Sequence, residues 1–255
     1  MNIIKRGIRG LARAAGYEIT RLSEDEFGWE LADLSAEEKR IVTAVRPFTM
    51  TSAERIIALT TATRHVSVNR VEGAIVECGV WRGGSTMAAL LTLRGLADTG
   101  REVFLYDTYE GMPAPTDKDV SVDGVAAGRQ LAQTPAGTGV WCYASIEDVK
   151  ANVLSTGYPE ARLHFVRGKV EETLPATLPS SIALLRLDTD WYESTLHELK
   201  HLFPLLHPRG VLIIDDYGHW QGARKAVDEF FQDKQGQYFF HRIDYTGRLI
   251  MRTHP

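Results

Sequence analysis

Two short runs hold the acids that could do chemistry. Leu187-Asp188-Thr189-Asp190-Trp191 and Ile214-Asp215-Asp216-Tyr217 each place carboxylates directly after an apolar stretch. Residues two apart on a strand share a face, so Asp188 and Asp190 can point the same way. Four carboxylates this close repel one another, and some stay protonated unless a cation relieves them. An all-oxygen ligand set favours a hard ion, Mg2+ first, with Ca2+ or Mn2+ as substitutes. Such an ion stabilises the alkoxide of an aliphatic hydroxyl, which is otherwise a poor nucleophile. The reading assigns Asp188, Asp215 and Asp216 to the metal and Asp190 to the general base. A plainer role competes for Asp190, which precedes the helix-forming run YESTLHEL and could cap it. The competing reading is that one or two of these four aspartates are helix caps or structural partners, although burial of the Asp215-Asp216 pair calls for a metal.

A third run, Glu77-Cys78-Gly79-Val80-Trp81-Arg82-Gly83-Gly84-Ser85, sets an acid at a strand end before a glycine turn and a helix start. Glycines let a ligand approach the backbone, because no Cβ intervenes. The dinucleotide pattern GxGxxG is absent, since Gly79 is followed by Val80 and Trp81. A glutamate there suits a cationic ligand with an ammonium or sulfonium group better than a pyrophosphate. Asp107, about 30 residues on at the end of the next strand, can accept hydrogen bonds from both hydroxyls of a ribose. Together these features point to S-adenosylmethionine rather than NAD, with a simple helix-capping role for Asp107 as the competing reading.

The elements that must position these groups alternate. Strands are expected at residues 73–79, 102–107, 162–168, 181–190 and 210–216, with helices between them. A hairpin over 237–253, with a Tyr245-Thr246-Gly247 turn, closes the chain. This order predicts an α/β fold, a mostly parallel, doubly wound sheet with one antiparallel C-terminal strand. Ligands of such sheets bind beyond the C-terminal strand ends, where all three acidic runs fall. Ser35 with Glu38, and Ser52, are the expected helix caps. Residues 108–147, rich in Gly, Pro, Asp and Thr, are expected as a long loop.

Composition removes several classes. Of 255 residues, 44% are hydrophobic and 24% charged, the balance of a globular protein rather than a disordered one. A net charge of −4 argues against a nucleic-acid partner. Cys78 and Cys142 form no CxxC pair, and the default setting is cytoplasmic. Cys78 is expected as a small core residue. His219 could be a second base, an acceptor contact or a plain loop residue. His197 and His201, at helical spacing beside Glu198 and Lys200, are expected on a solvated face. Near the N-terminus, Ile4, Ile8, Leu11 and Ala15 form a narrow apolar stripe among Lys5, Arg6, Arg9 and Arg13. That helix is expected to dock on its own domain or a neighbouring subunit, with weak contact to an anionic membrane surface as the alternative. Arg9 and Arg13 break any signal-peptide core.

The segments VECGVWRGGS, YDTYEGMP, LRLDTDWYEST and IIDDYGHWQGARKAVDEF, with TMTSAERI upstream, resemble the macrocin O-methyltransferase family over roughly residues 47–252. The resemblance implies a class I methyltransferase (Rossmann-like) domain over 47–255 after a helical extension over 1–46. It implies S-adenosylmethionine and Mg2+, and an acceptor that is the sugar hydroxyl of a glycosylated natural product or a surface glycan. Carried over by motif, Asp188, Asp215 and Asp216 would bind the metal and Asp190 would be catalytic. Glu77, Gly79, Arg82, Gly83, Ser85 and Asp107, with Asp188, would bind cofactor. Ser145 and Gly168 would flank the adenine. The family also implies homo-oligomers. Methylation of a catechol or other phenol, an NAD-linked oxidoreductase, and a non-catalytic binding module are the competing functions.

Overall fold

The computed structural model describes residues 32–135, 139–234 and 236–253. The chain divides into Met1–Lys39 and Arg40–Pro255. The basic amphipathic helix expected at the N-terminus lies outside the described residues. In the first unit Ser35 and Glu38 form the expected capping box: the Ser35 N–H donates to Glu38 Oε2 at 2.8 Å, and the Glu38 N–H to Ser35 Oγ at 3.3 Å. They open helix α1, Ala36–Val45.

The second unit carries the sheet. Its strands are β1 (Ala74–Cys78), β2 (Val103–Asp107), β3 (Leu163–Arg167), β4 (Ile182–Leu187), β5 (Leu206–Ile214), β6 (Phe239–Arg242) and β7 (Arg248–Met251). Their order is β3-β2-β1-β4-β5-β7-β6. β1 to β5 pair in parallel, and β7 runs antiparallel to both β5 and β6. This is the mostly parallel sheet with one reversed strand that the alternation of elements predicts. β5 starts at Leu206, ahead of the expected 210, because its register shifts against β4 between Ile182 and Leu184.

Helix α3 (Gly84–Gly95) packs against α2 (Ala53–Val68) and α5 (Ile146–Ser155), and α7 (Tyr192–Leu202) packs against α6 (Val170–Thr173) and α8 (Gln221–Phe231). Ser52 and Ser145 cap α2 and α5, accepting the Arg55 and Asp148 N–H groups. Val76, Cys78, Leu185 and Leu187 pack with Leu199, Leu202 and Phe231 in one core. Their neighbours in sequence, Glu77 and Arg186, therefore point to the opposite face. Cys78 is fully buried, as expected. The expected loop 108–147 contains a helix, α4 (Ala127–Gln133). Among the described residues, no helix is long and apolar enough to cross a membrane.

Candidate active site

Strand order reverses between β1 and β4, and the crevice at that switch point is where a doubly wound sheet binds ligands. A cavity of about 480 Å³ opens there, within the usual range for a small-molecule site. Gly79, Ser85, Asp107, Gly168, Asp188, Asp190, Asp215 and Asp216 all line it. Sequence and structure agree on this group as one neighbourhood.

Strand parity explains the acidic cluster. Glu77 and Arg186 are paired across β1 and β4, and Arg186 and Ile213 across β4 and β5. Two residues further on, Asp188 and Asp215 lie on the same face as Arg186. One oxygen from each of Asp188, Asp215 and Asp216 lies within 4.8 Å of the others. Asp216 Oδ2 is buried and accepts no hydrogen bond. An orphaned carboxylate oxygen is costly unless a cation or donor completes it, so the donor set fits a hard cation. Burial and the neighbouring Asp190 push the Asp216 carboxyl well above its usual range. Burial likewise pushes Asp188 up, against the pull of Arg186.

Arg186 organises the cluster. Its Nη1 donates to Glu77 Oε1 at 2.7 Å and to Asp188 Oδ2 at 2.8 Å, and its Nη2 to Asp215 Oδ1 at 2.6 Å. The side chain is 4% exposed. Burial alone would lower its pKa, but Asp188, Asp215 and Glu77 raise it, so it stays charged. From α2, Arg55 pairs with Asp215 and, at 3.0 Å, with Asp244. Thr51 Oγ1 donates to Asp215 Oδ1 at 3.3 Å. Two guanidinium groups thus offset part of the carboxylate charge from within the protein. Sequence reasoning missed both. For Arg186 a signal existed: a charge inside the apolar run SIALLRL must be paired if that strand is buried.

Four expected cofactor residues lie off the cavity wall. Glu77 was expected to face a cationic group of the cofactor. Instead it is enclosed, with Oε1 taken by Arg186 and Oε2 by the Thr86 hydroxyl, so its cation is Arg186. Arg82 turns to Asp148, at 2.9 Å, and to the Pro47 carbonyl. Gly83 caps α3 in the left-handed region, φ +88°, against Val153. Ser145 spends its oxygen on the cap of α5.

Asp107 fixes the turn itself. Its Oδ2 accepts the Val80 and Trp81 N–H groups at 2.6 and 3.0 Å, and its Oδ1 accepts the Tyr109 N–H at 2.7 Å. Gly79 has φ +80°, and a Cβ there would overlap the Asp188 carbonyl. Gly79→Ala therefore imposes both left-handed strain and a clash between β1 and β4. The expected loss is about 3 kcal/mol, read as a fall of roughly 6–12 °C in the thermal midpoint, with weaker cofactor binding in calorimetry.

Asp190 is not a helix cap. It adopts φ +67°, and the first N–H of α7, that of Tyr192, goes to Asp119 Oδ1 at 2.8 Å. Burial pushes the Asp190 carboxyl up to about 7. A base poised near the working pH is suited to proton transfer. His219 lines the cavity, with Nδ1 3.4 Å from the Tyr245 hydroxyl. His197 and His201 are half-buried with their rings 4.4 Å apart. Glu198 between them is fully buried, which corrects the expected solvated face.

The segment after β2 walls the cavity through Thr108, Gly111, Met112 and Pro113. It is fastened rather than free. The fully buried Asp119 accepts the Thr116 N–H through Oδ2 at 2.7 Å while Oδ1 holds Tyr192. Ser121 bridges to Trp220, and Trp191 donates to the Pro113 carbonyl at 3.0 Å. Trp191 and Trp220 meet edge to face at 5.0 Å.

The macrocin-O-methyltransferase (TylF) family model matches residues 25–252. The chain belongs to the macrocin-O-methyltransferase family. It is 36% identical, over 80% of its length and 76% of the relative's, to the 8-demethyl-8-(2,3-dimethoxy-α-L-rhamnosyl)-tetracenomycin-C 4'-O-methyltransferase of Streptomyces olivaceus. It is 32% identical to the demethyldecarbamoylnovobiocin O-methyltransferase of Streptomyces niveus, over 71% of this chain and 67% of that one. Among solved structures, the O-methyltransferase NovP superposes with a TM-score of 0.69 at 30% identity, covering 81% of this chain and 83% of that one. The macrocin-O-methyltransferase match reaches further towards the N-terminus than the motifs at 47–252 suggest.

Proposed function

We propose that this protein is a Mg2+-dependent O-methyltransferase that uses S-adenosylmethionine to methylate a sugar hydroxyl of a glycosylated natural product. The observation that carries the reading is the convergence of Asp188, Asp215 and Asp216 beside Asp190 in the same cavity as the Gly79 turn. S-adenosylmethionine, when bound, supplies an electrophilic methyl group on a sulfonium. Gly79, Ser85, Asp107 and Gly168, which line the cavity, would hold it. Mg2+, held by Asp188, Asp215 and Asp216, would supply Lewis-acid polarisation of the acceptor hydroxyl.

The rest is done by the chain. Asp190 takes the hydroxyl proton as the oxygen turns nucleophilic. Trp220 and the fastened segment after β2 wall the site, braced by Trp191 behind them, and the water they exclude strengthens the charge interactions inside. Arg186 holds Asp188 and Asp215 in place, Arg55 holds Asp215, and the two guanidinium groups offset part of the acidic charge. The sugar acceptor is supported by the relatives, one named for a rhamnosyl tetracenomycin and another, at 32% identity, for mycinamicin III at its 3'' position.

The test is a screen of glycosides with labelled S-adenosylmethionine, beginning with rhamnosyl tetracenomycins, macrolides and aminocoumarins. Label should pass to the sugar, stop with EDTA and return with Mg2+. Transfer indifferent to chelation would remove the metal from the mechanism. Turnover of catechols with none of glycosides would overturn the sugar acceptor.

A further inference from the structure

Glu198 has no evident place in the chemistry, yet it is held where a carboxyl group is expensive. It sits on α7 and is fully buried. Its Oε2 accepts the Thr189 hydroxyl at 3.1 Å, and its Oε1 has no hydrogen-bond partner. Leu199 and Leu202 on the same helix are core residues, so an apolar side chain would suit the position. Glu198 does not line the cavity and cannot touch a substrate there. It touches the Cys78 thiol on β1 and Thr189, the residue before Asp190.

Thr189 lies in the loop after β4, among the residues that line the cavity, and its hydroxyl turns to Glu198 on α7. The Thr189 carbonyl accepts the Trp191 N–H at 2.8 Å, closing a tight turn around Asp190. Asp190 then lies at φ +67°, a conformation a non-glycine residue keeps only when its surroundings hold it. The Thr189 side chain is the anchor on the helix side, and Glu198 is what it is anchored to.

We infer that Glu198, acting through the Thr189 hydroxyl, is the positioning residue that sets Asp190 in the left-handed turn facing the acceptor. This rests on the reading of Asp190 as the general base. Burial pushes the Glu198 carboxyl well up, so a neutral glutamine should replace it faithfully.

The experiment uses the full chain and four variants: Thr189→Val, which removes one hydroxyl at constant shape, Thr189→Ser and Glu198→Gln, which keep the bond, and Asp190→Asn. Amide exchange of Asp190 and Trp191 is read by NMR in the free protein. Turnover is read with rhamnosyl tetracenomycin, Mg2+ and S-adenosylmethionine. Thr189→Val should speed Trp191 exchange at least tenfold and lower kcat by about 10–100-fold, with KM and cofactor affinity within twofold. Thr189→Ser and Glu198→Gln should stay within threefold of the parent on both readouts. In the Asp190→Asn background, Thr189→Val should cost nothing further. Unchanged exchange in Thr189→Val, whatever the acceptor does, would overturn the inference. So would a Glu198→Gln protein as slow as Thr189→Val, or a Thr189→Val cost that persists in the Asp190→Asn background. An Asp190→Asn protein at full rate would instead bring down the base assignment, which separates the two failures.

Discussion

Asp190→Asn is expected to lower kcat by about a thousandfold, the middle of the range for loss of a general base, while S-adenosylmethionine affinity stays within twofold. Asparagine keeps the shape of the side chain and is one of the few residues at ease with a positive φ. The turn at φ +67° should therefore survive, and proton acceptance alone should be lost. The parent rate should rise with pH as Asp190 gives up its proton, because only the carboxylate can accept one. That limb should vanish in the variant. A variant retaining a tenth or more of the parent rate, or keeping the same pH limb, would assign the proton to another group, with His219 on the wall of the same cavity as the next to examine.

Arg186→Met is expected to be the most damaging change to stability in the unit. It leaves Glu77, Asp188 and Asp215 without the guanidinium that touches all three. Removing one partner of a buried ion pair typically costs about 3–5 kcal/mol, roughly a 10 °C fall in the thermal midpoint at this size. The pH dependence has a definite sign. Without Arg186 the Glu77 and Asp188 carboxyls, already raised by burial, lose the positive charge that draws them down, so the folded protein binds more protons than the unfolded chain, and stability rises as pH falls. The deficit against the parent should be smaller at pH 5 than at pH 8 in paired melts. A variant that melts within 2 °C of the parent at both pH values would mean that Arg186 carries no such burden.

What the sequence made legible follows from what strand ends do. Asp188, Asp215 and Asp216 each follow an apolar run, and a doubly wound sheet brings such ends together without further information. The hairpin and the capping serines were readable for the same reason, being set by local periodicity and turn chemistry. Glu77 was read by type and place, but its partner came from β4, more than a hundred residues away, and only the pairing of Glu77 with Arg186 reveals it. Arg55 and Glu198 carry no local mark at all, since their roles arise from tertiary approach. The segment 108–147 was readable as irregular. Its attachment through the buried Asp119 was not, because one aspartate among many polar residues has no periodic neighbour to betray it.

That attachment bears on how such enzymes diversify. The wall from Thr108 to Pro113 is clamped to α7 and to the Trp220 turn by Asp119, Ser121 and Trp191, and it contributes no strand to the sheet. A lineage can therefore rewrite the stretch ahead of that clamp and reshape one wall of the cavity, while the sheet and the acidic strand ends opposite stay as they were inherited.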